Sequence, residues 1–329
     1  MREYRIFGSE MSPYSVKVRS YFRYKQIPHT WIPRRADSED EYKKFAKLPI
    51  VPTVATPEGE GMQGSTPIIE ALEAKFPEPS IHPASPELAF LSELIEEFGD
   101  EWGNKLMFHH RWHDDVDARA SARALARLSL PYASGAEVED RAKLVQARMA
   151  QRRYFVGSSS ENAPLITAYY FELLDILEAH LQARKYLFGA RPAFADFGLA
   201  AQLQQCSIDP TCGGIMRARG PKLLDWCSRM IEPRNDGAFE SWDSLAPTLA
   251  PLLAYIGRYF LPWSQQNARA IQAGEQTFSV VLNGDTYTQA PQKYHAKSLE
   301  ALKRKYRALA DRFRLDPILA AADCTRYLA

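Results

Sequence analysis

Apolar positions along the chain follow three successive rhythms. Over the first eighty residues, short extended runs alternate with helical ones. Tyr4 to Phe7 predicts a strand. Val18, Tyr21 and Phe22, at i, i+3 and i+4, put one apolar face on a helix from Val16 to Tyr24. Pro28 ends that helix, Thr30-Trp31-Ile32 predicts a second strand, and the charged stretch from Arg34 to Lys47 is at most partly helical. Thr53-Val54-Ala55 and Gly61-Met62-Gln63 read as two strands joined by the turn-forming Pro57-Glu58-Gly59-Glu60. Ile69, Leu72 and Phe76 give a closing helix its buried stripe. The order β-α-β-α-β-β-α predicts a compact α/β unit over residues 1–80.

Pro77, Pro79, Pro83 and Pro86 then crowd a linker with few regular hydrogen bonds. Beyond it the spacing becomes helical. Leu88, Leu91, Ile95, Phe98 and Trp102 form one stripe, and Ile166, Tyr169, Tyr170, Leu173, Leu174, Leu177 and Leu181 a longer one. Such stripes need facing helices, so residues 87–235 predict an all-α bundle, with Leu130 to Glu137 as a loop and Gly157 to Ala163 as a polar break. The third rhythm starts after Pro233 and defines an extension over residues 236–329. A Pro- and Leu-rich segment runs from Leu245 to Trp263. Phe278 to Leu282 and Thr286 to Thr288 then flank Asn283-Gly284-Asp285, a strong hairpin signal. Leu299, Leu302, Tyr306, Leu309 and Phe313 line one side of a final long helix whose other side is basic and reads as a solvated face.

Composition narrows the function classes. With 41 basic against 40 acidic residues the formal charge is +1, which argues against a polyanion such as nucleic acid as partner. No run approaches the roughly 20 apolar residues of a membrane span, and Met1 to Phe7 lacks the apolar core of a leader. Cys206, Cys212, Cys227 and Cys324 have no metal-type spacing. They read as reduced, mostly buried thiols of a cytoplasmic protein, with a Cys206–Cys212 disulfide as the alternative.

Candidate chemistry sits at three places in the first unit. Met11-Ser12-Pro13-Tyr14-Ser15-Val16-Lys17-Val18-Arg19 follows the first strand, Leu48-Pro49-Ile50-Val51-Pro52-Thr53 precedes the third, and Gln63-Gly64-Ser65-Thr66-Pro67-Ile68-Ile69-Glu70 opens the closing helix. Ser12 and Ser65 each suit a helix N-cap, and either helix N-terminus would also stabilise an anion. Taken in this order, the three patterns resemble the glutathione S-transferase superfamily, serine/cysteine type. Gly189-Ala190-Arg191-Pro192-Ala193-Phe194-Ala195-Asp196-Phe197 is similar to the folding motif of its helical domain, with Asp196 capping the helix that follows.

The resemblance covers roughly residues 1–232. It implies a thioredoxin-like N-terminal domain, a helical-bundle second domain and glutathione as co-substrate. Ser12 would donate to the glutathione sulfur and favour the thiolate. Val51, before a cis Pro52, would offer its backbone to the cysteinyl part, and Gln63, Gly64 and Ser65 would meet the γ-glutamyl end. Tyr14, Phe108 and Trp112 would line a pocket for a small apolar electrophile, although aromatic residues at helical spacing also suit plain core. Serine in place of cysteine at position 12 disfavours thiol–disulfide exchange. The family habit is a homodimer.

Three departures mark the pattern: Gly64 where an acidic residue is usual, Ile50 where Lys or Gln often meets the glycyl carboxylate, and Ala193 where Ser or Thr completes a capping box. Gln63, Arg34, Arg35 and Lys47 lie near enough in sequence to compensate. The gaps leave room for a binding protein that kept the fold and lost efficient catalysis, and for a glutathione-dependent lyase or isomerase. His109 and His113 share a helical face at a zinc-binding spacing, but no third ligand is identifiable, so no metal is expected. The extension would cover the cleft between domains or extend a subunit interface. Packing on the helical domain is favoured.

Overall fold

The computed structural model describes residues 3–329, so Met1 and Arg2, where the first unit and the N-terminal segment begin, lie outside the described residues. The first unit runs β1 (Tyr4–Gly8), α1 (Pro13–Tyr24), β2 (His29–Pro33), α2 (Glu39–Lys43), β3 (Thr53–Ala55), β4 (Gly61–Gln63) and α3 (Ser65–Lys75). The sheet order is β2-β1-β3-β4, with β1 parallel to β2 and antiparallel to β3, and β3 antiparallel to β4. This is the thioredoxin-like arrangement expected from the sequence.

The helical part comprises α4 (Pro86–Phe98), α5 (Asn104–Trp112), α6 (Asp115–Ser129), α7 (Gly135–Ala150), α8 (Ala163–Leu181), α9 (Phe194–Ile208), α10 (Pro210–Arg219) and α11 (Pro221–Arg229). A π-helical turn, Gly99–Gly103, joins α4 to α5. Helix α9 packs on α1 and on α4 and so ties the two units together. The approach is close: a Cβ on Gly99 would stand 2.6 Å from the Leu199 nitrogen, and one on Gly198 would stand 2.8 Å from the Glu96 carbonyl oxygen. Asp196 holds this helix from within. Its fully buried carboxylate accepts from the N–H groups of Ala193 and Leu187 and from the Trp226 indole, each at 2.8 Å. Half of the capping box therefore survives Ala193, because the acidic half needs only a backbone N–H.

The extension adds α12 (Trp242–Tyr255), α13 (Leu261–Ala273), β5 (Phe278–Leu282), β6 (Asp285–Gln289), α14 (Lys293–Ala308), α15 (Leu315–Ala321) and α16 (Thr325–Leu328). Helix α12 packs on α8, and α14 packs on α4. The hairpin turn is two residues, Asn283 and Gly284, both with positive φ (54° and 95°), so Asp285 already pairs with Leu282. Two readings are corrected. The loop after α6 ends at Ser134, which caps α7 with Glu137 in a reciprocal box. The final helix stops at Ala308, leaving Phe313 exposed and the chain turning into α15 and α16. Pro247 and Pro251 lie inside α12, one turn apart on its exposed side, where solvent can satisfy the carbonyls their missing N–H groups leave free. All four cysteines are free and buried.

Candidate functional site

Strand register gathers the three N-terminal patterns. Phe7 pairs with Thr53, and Thr53 pairs with Gln63. In this antiparallel register the segments just after β1, just before β3 and just after β4 leave the sheet at one end. Ser12, Val51-Pro52 and Gly64-Ser65 occupy those three segments.

Ser12 is the N-cap of α1, with Pro13 at the first helical position. Its Oγ accepts from the Ser15 N–H at 3.3 Å, which leaves the hydroxyl proton free to donate elsewhere. The loop before it is pinned from the helical part. Arg111 Nη1 donates to the Met11 carbonyl at 3.1 Å, and Gln205 Nε2 donates to the Glu10 carbonyl at 2.9 Å. Arg111 is itself buried and fixed by Asp209 at 2.8 Å and by Gln205. Sequence reading missed this brace, because partners about a hundred residues apart leave no local signal.

The Val51–Pro52 bond is cis. Val51 is half-buried, and among the described residues neither its N–H nor its carbonyl finds a hydrogen-bond partner within the protein. The loop around it is held by Gln63, whose side chain accepts from the N–H groups of Lys47 and Leu48 at 2.8 and 2.9 Å and donates to the Leu48 carbonyl and to Thr53 Oγ1, each at 2.9 Å. Arg34 donates to the Pro49 carbonyl at 2.9 Å and pairs with Glu39, while Arg35 pairs with Asp37. Three of the residues near enough to compensate for Ile50 are thus occupied. Lys47 is exposed and makes no ion pair among the described residues, and Ile50 is 45 % exposed.

Gly64 caps α3 at φ 89°, a conformation that favours glycine, so a side chain here would carry a backbone cost. Ser65 follows, buried, and no side chain caps the first turn of α3. The Ser65 hydroxyl lies 3.3 Å from Asp100 Oδ2, within a buried network. Lys17 Nζ reaches Asp100 at 2.7 Å, Thr66 Oγ1 at 3.0 Å, and Glu96. Burial works to lower the Lys17 pKa, but Asp100 and Glu96 outweigh it and hold the ammonium above its ordinary value. Tyr14 is half-buried and donates to the Asp100 carbonyl at 2.9 Å.

Of the three aromatic residues expected in an acceptor pocket, Phe108 and Trp112 lie together, with ring centroids 6.3 Å apart. Phe108 is half-buried, whereas Trp112 is 3 % exposed and packs into a small second core with Ala118, Ala122, Ala126, Val138 and Ala142. Trp112 is core because α6 and α7 close over it. His109 and His113 stack at 4.5 Å, and the His109 Nδ1 meets Ser158 Oγ at 2.7 Å. Burial pushes the His109 pKa down to about 3. Among the described residues no three His, Cys, Asp or Glu side chains come together in a way that could hold a metal ion.

Comparison with known proteins agrees with the family resemblance. The family model "Glutathione S-transferase, N-terminal domain" matches residues 6–80, and "Glutathione S-transferase, C-terminal domain" matches residues 136–229. No curated protein matches the chain. Similar solved structures include a glutathione S-transferase from Rhodospirillum rubrum (17 % identity, 68 % of this chain and 86 % of that one, TM-score 0.44). A beta-etherase from a Sphingobium species is 19 % identical over 70 % of this chain and 95 % of that one, with a TM-score of 0.46. A glutathione S-transferase from Methylobacterium radiotolerans, in complex with glutathione sulfonate, is 20 % identical over 74 % and 93 %, with a TM-score of 0.40. The two family models match in order and together span about half of the 329 residues, and the chain belongs to the glutathione S-transferase superfamily.

Proposed function

We propose that the protein is a cytoplasmic, homodimeric glutathione-dependent transferase that activates the glutathione thiolate for attack on a small apolar electrophile. The observation that carries this reading is the convergence, at one end of the sheet, of a helix-capping hydroxyl with a free proton, an unpaired backbone N–H and carbonyl at Val51, and the uncapped N-terminus of α3. Ser12 donates to the sulfur, and the α1 dipole with the free Tyr14 N–H adds its field, so the thiol ionises nearer neutral pH. Val51 pairs with the cysteinyl backbone as a short antiparallel strand would. The α3 N-terminus, with Ser65, receives the γ-glutamyl carboxylate. Lys47 is the cation left to meet the glycyl carboxylate across Ile50. Tyr14 and Phe108 line the approach of the electrophile, and the pocket does not include Trp112. The reaction forms a carbon–sulfur bond and releases a leaving group or takes up a proton.

A second reading, a binding protein with weak or no catalysis, is favoured by one observation: Gln63, the polar neighbour of Gly64, spends its side chain on the 47–50 loop. Retention on immobilised glutathione, elution with the free peptide and conjugation of an activated aryl halide separate the two. Binding with turnover supports the transferase, and binding without turnover over a panel of electrophiles supports the binding protein. Absence of binding at millimolar glutathione overturns the transferase and leaves a binding protein for another ligand or a protein partner.

A further inference from the structure

Helices α3, α4 and α14, with the π-helical turn, enclose a cleft of about 370 Å³ that the glutathione reading does not use. Its floor carries Glu96, Glu97 and Asp100, with Thr66 beside them, and its wall carries Tyr294, Ala301 and Leu302. The charges do not balance. Lys17 is shared by Glu96 and Asp100, and Lys305 by Glu70 and Glu93. Glu101 lies against His295. Glu97 has no ion pair among the described residues, while Lys297 and Arg304 stand exposed at the rim. One oxygen of Asp100, Oδ1, is buried without any hydrogen-bond partner, although the residue as a whole is only 6 % exposed.

An ionised carboxylate can only accept, so the orphaned Asp100 oxygen calls for a donor, and once Glu97 is ionised as well, for a donor that brings positive charge. A hard metal ion would need about six oxygen ligands in a shell, and no side-chain grouping among the described residues meets that need. An ammonium needs only two or three acceptors on one side. The apolar wall formed by α14 suits a methylene chain running outward from it.

We propose that this cleft binds the ammonium group of a primary aliphatic amine, with Asp100 and Glu97 as its anionic partners and Tyr294, Ala301 and Leu302 against its methylene chain. The site uses neither Ser12 nor Val51 and adjoins the glutathione reading only at Ser65, whose hydroxyl lies 3.3 Å from Asp100 Oδ2. The extension completes it, since α14 supplies the wall. Burial pushes the Glu97 pKa up to about 8, with Glu96 and Asp100 adding to the rise. Amine binding therefore expels a proton near neutral pH and tightens as pH rises until Glu97 is ionised.

The test is calorimetric titration of the full chain with putrescine, in buffers of differing ionisation enthalpy, for wild type, Glu97→Gln, Asp100→Asn and Glu300→Gln. Glu300 is exposed on α14 and serves as control. The expected result is saturable binding with proton release, weakened about tenfold or more by loss of either floor carboxylate, as for one charge-assisted hydrogen bond, and unchanged in Glu300→Gln. If Asp100→Asn fails to fold, Glu97→Gln decides. Absence of saturable binding at millimolar putrescine, or equal affinity in Glu97→Gln, overturns the proposal.

Discussion

The sheet end around Ser12 and the hairpin around Lys105 are both polar sites next to packed cores, and they differ in what they leave unsatisfied. Lys105 is 1 % exposed, yet its ammonium donates to the Val156 carbonyl at 2.8 Å and to Gln289 Oε1 at 2.5 Å, and it lies 4.4 Å from the Trp263 ring centroid. Gln289 Oε1 also accepts from the Trp263 indole, Tyr287 donates to the Val156 carbonyl, and Asn162 holds both Gly157 and Thr288. Each polar group there is answered within the chain. At the sheet end the Val51 backbone pair, the α3 N-terminus and the Lys47 ammonium are not. Around the hairpin the fold answers these polar groups itself, whereas the sheet end leaves backbone groups open where a ligand can supply the partners. The extension is therefore a structural belt on its hairpin side, while the proposed chemistry lies with the N-terminal unit.

The largest expected effect breaks the belt. Trp263→Ala removes a fully buried indole and the hydrogen bond to Gln289, and should cost about 3–5 kcal/mol of unfolding free energy in urea. Glutathione affinity of the folded protein should change less than about twofold, because the site is remote and shares no partner with the hairpin. A large loss of affinity in the folded protein would show that belt and site are not separable.

The next effect concerns pH. The folded-state pKa of Glu97 is raised by burial to about 8, above its ordinary value of 4.5. Between these values the folded protein holds a proton that the unfolded chain does not, so stability falls as pH rises through the window and the full loss is reached above pH 8. Urea midpoints measured near neutral and mildly alkaline pH should decline in the wild type and flatten in Glu97→Gln. An identical slope in both would assign the decline to other groups.

How much of this was legible follows the range of the interactions. The strands at Thr53–Ala55 and Gly61–Gln63 and the Asn283-Gly284 turn are set by neighbours in sequence and stand where the spacing puts them, and the Asp196 cap stands where the resemblance puts it. Helix α6 escaped notice because its buried residues are mostly alanine, which carries no strong apolar rhythm. Helix α12 was masked by Pro247 and Pro251, whose cost solvent absorbs. At the site, Ser12, Val51 and Ser65 were visible as motifs. The Arg111 brace, the spent side chain of Gln63 and the Lys17 network all join distant segments, and no local pattern announces them. Only the resemblance puts Trp112 in a pocket, and α6 and α7 supply the cover that makes it core.

The smallest effect sharpens the open end. Lys47→Ala should weaken glutathione by severalfold at low salt, the worth of an exposed ion pair of about 0.2–1 kcal/mol, and the difference should shrink as salt is added. A salt-independent loss would place Lys47 in the loop's structure instead.

The most direct test of the central claim is the ultraviolet thiolate absorbance of bound glutathione, titrated with pH in the wild type and in Ser12→Ala. The account predicts a bound thiol that ionises well below free glutathione in the wild type. In the variant its pKa should move back toward the ordinary thiol range, while binding persists through Val51 and the α3 N-terminus. Equal thiol ionisation in both proteins, with glutathione bound to each, would contradict the role given to Ser12.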